Sequence, residues 1–462
     1  MTRAMADRAE TDQLVARVIG TNDSAIHEIV RKRLRSAGSA CAGAVLGWPA
    51  WCHRKVEAIS LLEGERARRR LSLDCTPTLI PWPPSSEQRR RRRRRLYNVG
   101  SAQIAVPLTF IEKAPMRSLD VVDAQGRSVP VLGRRDNGLL ATAALEAAVA
   151  GDLGGRVTPE QWRQLLVIAC GDPTDSVLVA EEFIAHHALS TVVAEFVRDT
   201  ASNFLLCAVL AADSAETRQV LKYSWHWDAD RLLQPPSGAT EKRSKISRFA
   251  SAVGRLGPGL GLRDFAFEIA LGSPSSAASY HLEVPAPVGL KCRSLDLPPG
   301  AGGKPHDVSS SAFGHAYDTY ENDPDGNAAV RMNISEHGLH PLVTGAALGT
   351  SAIFILALTL SNALATLLAN GPGANSLLLF GPATLLAVLV GRRENVVASF
   401  VLLPLRLVAV GLSLLLFIGG ATLVGALRHP WITIYWTSAA VLSASSAIVL
   451  VIGTFRLRSA SK

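Results

Sequence analysis

The sequence predicts a two-part protein. An α+β cytoplasmic domain, helical in front and antiparallel, sandwich-like in its rear part, precedes an all-α four-helix transmembrane region. Three observations predict this. Charged residues make up 19% of the 462-residue chain, yet none occurs from His337 to Gly391, Leu407 to Leu427 or His429 to Phe455. Between Gly100 and His337, helical periodicity gives way to short alternating runs. Charge also falls into zones: residues 1–100 hold 20 Lys and Arg against 10 Asp and Glu, residues 101–342 hold 21 against 28, and residues 343–462 hold 7 against 1. The basic pI therefore conceals an acidic middle domain, which argues against reading it as a nucleic-acid signature.

Residues 1–100 read as a basic, partly disordered region. Thr21–Arg35 and Trp51–Leu73 have helical character, and the Pro-rich Ile80–Ser86 breaks it. Arg89, Arg90, Arg91, Arg92, Arg93, Arg94 and Arg95 follow in succession. Such a run repels itself and stays extended and solvated. The bland reading is a basic linker. The sharper one is contact with anionic lipid headgroups, where each basic residue contributes about 1 kcal/mol. Nucleic acid is disfavoured, because only Tyr97 stands near for base stacking. Ala37–Cys52, apolar and preceded by Arg31, Lys32, Arg33 and Arg35, resembles a signal sequence or a fifth span. Its shortness and Pro49 speak against insertion.

Residues 101–200 read as a hairpin plus helices. Ser118–Asp123 and Ser128–Leu132 alternate about the turn Asp123-Ala124-Gln125-Gly126. Leu139–Ala150 is periodic. Thr158-Pro159-Glu160-Gln161 is a helix start with N-cap, first-position Pro and a capping-box Gln, for a helix to about Cys170. A further helix is expected over Ser176–Arg198. Folded structure is expected to begin after Gly100.

Residues 201–336 read as antiparallel β. Phe204–Ala211 and Gln219–Trp227 flank a polar turn. Arg263–Leu271, Tyr280–Val284, Leu290–Leu297, Ala316–Glu321 and Ala328–Ile334 follow at short spacing. Gln234–Gly261 reads as a long loop.

Residues 337–462 form the transmembrane region, with spans at about 342–369, 374–391, 399–427 and 431–455. A crossing takes roughly 20 apolar residues for a hydrocarbon core of about 30 Å. Pro382 marks the short second span. Arg406 near the start of the third is placed to reach the headgroups. Arg392 and Arg393 lie in the second-to-third loop, and Arg456 and Arg458 follow the fourth span. By the positive-inside rule, both termini and the domain are cytoplasmic, in the plasma (inner) membrane. Gly345 and Gly349, and Ala439, Ser443 and Ala447, stand at the four-residue spacing that lets helix backbones approach. They fit packing within one bundle or a homo-oligomer face.

The strings Asp123-Ala124-Gln125-Gly126-Arg127-Ser128-Val129-Pro130-Val131-Leu132, Arg135-Asp136-Asn137-Gly138 and Ser279-Tyr280-His281-Leu282-Glu283-Val284-Pro285-Ala286-Pro287, ahead of C-terminal spans, carry a resemblance. Over roughly residues 100–460 the chain resembles uncharacterised integral membrane proteins of actinobacteria, which have a soluble α+β domain followed by transmembrane helices. The resemblance implies that domain order and no activity.

Chemistry is sparse. Glu182 and His186 stand one helical turn apart, half of a metal site without a second half. Gly254–Gly261 and Gly300–Lys304 lack the context of phosphate loops. Trp225-His226-Trp227 fits the end of a β layer. His281 and Glu283 share a strand face and fit a structural cross-strand pair, or in a sharper reading a pH-sensitive contact. The six cysteines have no C-x-x-C spacing and read as free thiols. No catalytic residue, metal ligand or cofactor-binding residue is expected. Three functions fit: an interaction, sensory or scaffolding protein with an unidentified protein partner; an oligomeric channel or transporter component; or a membrane-bound enzyme acting on lipid, for which Arg392, Arg393, Glu394 and Arg406 stand at the interface.

Overall fold

The computed structural model describes residues 24–62, 66–78, 80, 82, 103–114, 117–228, 256–300, 306–307, 309–310, 312–321, 327–359, 380, 384, 396–423 and 430–460. The front part begins α1 (Ser24–Leu46), α2 (Trp48–Trp51), β1 (Cys52–Leu61), β2 (Arg66–Cys75), β3 (Gln103–Glu112) and β4 (Arg117–Val122). Four helices follow: α3 (Arg134–Asp152), α4 (Pro159–Cys170), α5 (Pro173–His186) and α6 (Thr191–Ser202). Then come β5 (Asn203–Ala211), β6 (Gln219–Asp228), β7 (Phe265–Ile269), β8 (Tyr280–Pro285) and β9 (Leu290–Asp296). The strands end with β10 (His306–Asp307), β11 (Phe313–Asp318) and β12 (Ala328–Ile334). Three apolar helices close the chain: α7 (Leu339–Thr359), α8 (Val396–Leu423) and α9 (Trp431–Ala460).

Folding starts well before Gly100, which corrects the expectation. Trp51–Leu73, read as helical, instead supplies β1 and β2, an antiparallel pair in register from Cys52↔Cys75 to Leu61↔Ala67. The two-residue period is present but disguised. Buried positions of β1 include Lys55 and Glu57, and those of β2 include Arg69, so the inward face does not look apolar. Ala37–Cys52 is apolar because it is core. Leu34, Ala37, Cys41, Val45 and Trp48 are buried in the domain. α1 lies so close to α3 that a Cβ on Gly38 would sit 2.4 Å from the carbonyl oxygen of Ala143. The buried Arg31 clamps the pair by donating from Nε to Glu146 at 2.7 Å.

In the helical layer the start expected at Thr158 forms as read, while α3 begins at Arg134, ahead of the expected Leu139. Thr158 and Gln161 form the reciprocal capping box. The expected Ser176–Arg198 helix is two helices, because Ser190 caps a new one: Asp152 accepts from Ser190 N at 2.7 Å, and Ser190 Oγ accepts from Val193 N. Of the expected hairpin, β4 and the turn form. Asp123 Oδ1 accepts from Gln125 N and Arg127 N, each at 2.9 Å, and Gly126 takes φ 78°. The second arm makes only single bridges, Val122↔Ser128 and Val131↔Ala208.

Strand pairing crosses the expected segment boundaries. Among the described residues a seven-stranded sheet runs β10-β11-β8-β1-β2-β6-β4, a three-stranded sheet β7-β12-β9, and a ribbon β3-β5. β5 and β6 are therefore not hairpin partners. β1 pairs with β8 in parallel, Lys55 opposite Tyr280, an exception to the otherwise antiparallel pairing. Early strands thus sit in the middle of a sheet whose one end comes from the rear of the chain.

Two apolar cores result. One lies among α1, the α3–α6 layer, β3, β5 and one end of the large sheet. The other joins β7, β8, β9, β11 and β12 to α7, α8 and α9. Among the described residues three helices are long and apolar enough to cross a membrane: Leu339–Thr359, Val397–Thr422 and Thr433–Ser459, with mean hydropathies of 1.9, 2.5 and 1.9. These correspond to the first, third and fourth expected spans. The second, 374–391, lies outside the described residues apart from Phe380 and Thr384. The outer sides of the three helices expose large apolar residues such as Ile355, Leu356, Leu407, Leu414, Leu442 and Ile448. A contiguous apolar surface of this kind calls for an apolar solvent. Hydroxyls on these helices are satisfied internally: Thr344, Ser443 and Ser445 each donate to the carbonyl four residues earlier.

Candidate functional site

The middle of the large sheet holds charge on both faces. On the inner face, Lys55 and Glu57 of β1 are 0% exposed and Arg69 of β2 is 6% exposed. Glu57 pairs with Arg69 and accepts from Tyr280 Oη at 2.8 Å. Lys55 Nζ donates to Ser276 Oγ at 2.8 Å and to the carbonyls of Gly272 and Ser273. The guanidinium of Arg69 also lies 5.8 Å from the ring centroid of Trp225, which itself stacks on Tyr223. These contacts tie β1, β2, β6 and β8 to the 270–276 turn. Each charge has partners, so the cluster is a structural clamp.

The opposite face is polar and half-exposed. Alternation places Arg54 and Val56 of β1, Arg70 and Ser72 of β2, Lys222 of β6, His281 and Glu283 of β8, and His315 and Tyr317 of β11 on it. His281 stands opposite Tyr317, and Glu283 opposite His315. The contact His281 makes is with His315, not with Glu283: Nδ1 of His281 lies 3.2 Å from Nε2 of His315. His281 Nε2 lies 3.0 Å from Ser279 Oγ, and the rings of His281 and Tyr317 stack at 5.1 Å. Burial, then the charges of Arg54 and His315, push His281 down from 6.5 to about 4. Next to it β1 is irregular, with a register shift between Cys52 and Arg54.

At the other end the domain meets the apolar helices. Phe265 of β7 packs on Phe400 of α8 at 6.1 Å. A Cβ on Gly259 would meet Val401 and Pro404, and one on Gly453 of α9 would sit 2.2 Å from the Leu260 carbonyl oxygen. One on Gly261 would meet both His340 of α7 and Leu457 of α9. The starts of α7 and α8 and the end of α9 are thus against the domain. At the opposite end, Phe354 of α7 packs on Tyr435 and Trp436 of α9, and Trp436 Nε1 donates to Thr422 of α8 at 3.1 Å.

Among residues expected to touch lipid headgroups, Arg456 and Arg458 are exposed at the domain end of α9, and Arg406 is half-buried 2 residues past Pro404 in α8. Arg89, Arg90, Arg91, Arg92, Arg93, Arg94, Arg95, Arg392 and Arg393 lie outside the described residues. The small-residue stripes differ. Ala439, Ser443 and Ala447 are buried at 1%, 0% and 3% exposure. Gly345 and Gly349 are exposed, with nothing among the described residues within 4 Å of a Cβ placed there.

Other candidate chemistries find no support. Glu182 and His186 are both exposed, and His186 Nδ1 lies 2.7 Å from the Glu182 carbonyl oxygen. No cluster of three metal-ligating side chains occurs among the described residues. All six cysteines are free and buried. Burial pushes the Cys41 thiol up to about 12 and Cys52 and Cys170 to about 11, which keeps them un-ionised. The grouping that sequence reasoning missed is Ser279, His281 and His315. Its legible half was Ser-x-His at a strand start, since a two-residue step puts both on one face. His315 is added by pairing between strands 34 residues apart in sequence. No protein-family model matches the chain, and no match was found among curated proteins.

Proposed function

We propose that this is a multi-pass inner-membrane protein that displays its α+β domain to the cytoplasm as an interaction, sensory or scaffolding module. The observation that carries the reading is the polarity of the helices. α7 and α8 begin at the domain and α9 ends there, and Arg406, Arg456 and Arg458 gather at that same end. Arginines concentrate on the cytoplasmic side of short-looped membrane proteins, so the domain belongs there too. The same polarity supports four crossings. α7 runs away from the domain and α8 starts against it, which fits the expected span at 374–391. The domain-side arginines, with Arg392, Arg393 and the 89–95 run, then face the anionic leaflet.

The test is a topology map of the full chain. A reporter enzyme active only outside the cytoplasm is fused after residue 340, or between residues 424 and 429. The first fusion is expected to be inactive and the second active; the reverse pattern would overturn the orientation. A second reading, an oligomeric channel or transporter component, draws on Gly345 and Gly349, whose side is uncovered among the described residues and could take a helix of another copy. Solute flux in liposomes holding only the purified protein tests it.

A further inference from the structure

We propose that Ser279 is a nucleophile, activated by His281 and held in line through His315, and that the domain hydrolyses carboxylic esters in addition to its anchored role. Three groups form one chain of contacts on the half-exposed sheet face. Ser279 Oγ is 3.0 Å from His281 Nε2, and His281 Nδ1 is 3.2 Å from His315 Nε2. The two imidazole planes differ by 17° and their centroids are 5.5 Å apart. The rings therefore meet edge to edge, as an in-plane N–H···N bond requires. With His281 Nδ1–H donating to His315, the lone pair on His281 Nε2 faces the serine hydroxyl. A nucleophile, a base and a group orienting the base at these separations is the arrangement that activates a hydroxyl.

The surroundings fit the role. His281 is neutral near pH 7, so its Nε2 lone pair is available to the hydroxyl, while burial and the charges of Arg54 and His315 keep it a weak base. Arg54 precedes Lys55, whose N–H donates to the Ser279 carbonyl at 2.9 Å, and its charge acts on His281. Its charge disfavours a resting imidazolium and favours an oxyanion formed beside it. The β1 irregularity at Cys52/Arg54 adjoins the serine, and such irregularities often re-aim side chains at functional sites. Glu283 and Tyr317 complete the ring of polar groups on this face.

The chemistry balances with water as the co-reactant. Ser279 Oγ bonds to the ester carbonyl carbon while its proton passes to His281 Nε2. The tetrahedral adduct collapses, the bond to the alcohol oxygen breaks, and the alcohol leaves with that proton. Water then adds to the acyl carbon and gives its proton to His281. Ser279 departs with that proton, releasing the acid.

The experiment uses full-length protein in detergent micelles, a fluorophosphonate probe and p-nitrophenyl butyrate. The expected result is a probe adduct on Ser279 and ester turnover, both abolished in Ser279→Ala with unchanged unfolding temperature. His281→Gln should slow labelling about 100-fold or more, the usual loss of a general base. His315 is a positioning residue: His315→Gln should label more slowly and move the pH–rate midpoint upward, since His315 holds the His281 proton affinity down. Absence of an adduct on Ser279 in folded protein, or wild-type labelling of His281→Gln, would overturn the proposal. Neither result bears on membrane topology, so the anchoring role stands or falls separately.

Discussion

Replacing Glu57 with leucine is the sharpest probe of how this domain is held together. The change removes the carboxylate from a position that is 0% exposed and leaves the Arg69 guanidinium buried, at 6% exposure. Tyr280 Oη simultaneously loses its 2.8 Å acceptor. Breaking a buried ion pair from one side costs about 3–5 kcal/mol, because the surviving charge loses its counter-ion in a buried site. At about 2–4 °C per kcal/mol for a domain of 150–250 residues, the unfolding temperature should fall by about 6–20 °C. Glu57→Leu combined with Arg69→Met removes both charges. It should recover at least half of the loss, the residue being the unmet Tyr280 hydroxyl at about 1–3 kcal/mol. The assay is thermal unfolding of purified protein in detergent, followed by tryptophan emission, with Trp225 5.8 Å from the Arg69 guanidinium as a local reporter. A loss below about 1 kcal/mol for the single variant, or no recovery in the double, would refute the reasoning drawn from buried charge.

Three further outcomes follow from the packing and the titrating groups. Gly38→Ala should destabilise by about 1–3 kcal/mol through overpacking against Ala143, whereas Gly43→Ala, where a Cβ meets nothing within 4 Å among the described residues, should gain about 0.5–1 kcal/mol of helix stability; denaturant-midpoint shifts of opposite sign check this. Gly453→Ala forces a Cβ onto the Leu260 carbonyl and should lower the unfolding temperature, while Gly411→Ala, open on the same measure, should not. His281 has a folded pKa of about 4 against an ordinary 6.5, so below pH 6.5 the unfolded chain binds a proton that the folded ring refuses. Stability should therefore fall as pH drops from 6.5 towards 4, and His281→Asn should flatten that part of the unfolding-temperature profile, Arg54, Glu283, His315 and Tyr317 being the groups facing the ring.

Local signals were legible where one short stretch suffices. The capping box at Thr158 and the Asp123–Gly126 turn formed as read, because their hydrogen bonds join residues three or four apart. β1 and β2 were misread because Lys55, Glu57 and Arg69 occupy inward positions, and only partners from distant segments make those charges tolerable there. Ala37–Cys52 was ambiguous for the converse reason: an apolar helix face looks alike whether α3 or lipid covers it.

Long charge-poor stretches behind a mixed α+β part could be read directly from the residues. That conclusion needs only composition, since lipid accepts no unpaired charge cheaply whatever the neighbours are. Long-range packing set what remained: β1 joining β8 in parallel, the apolar helices continuing a domain core, and His315 arriving beside His281. Each of these is a meeting of residues far apart in the chain. Such meetings are fixed by which strand edges and apolar faces can be satisfied together, a property of the whole packing that no local window contains.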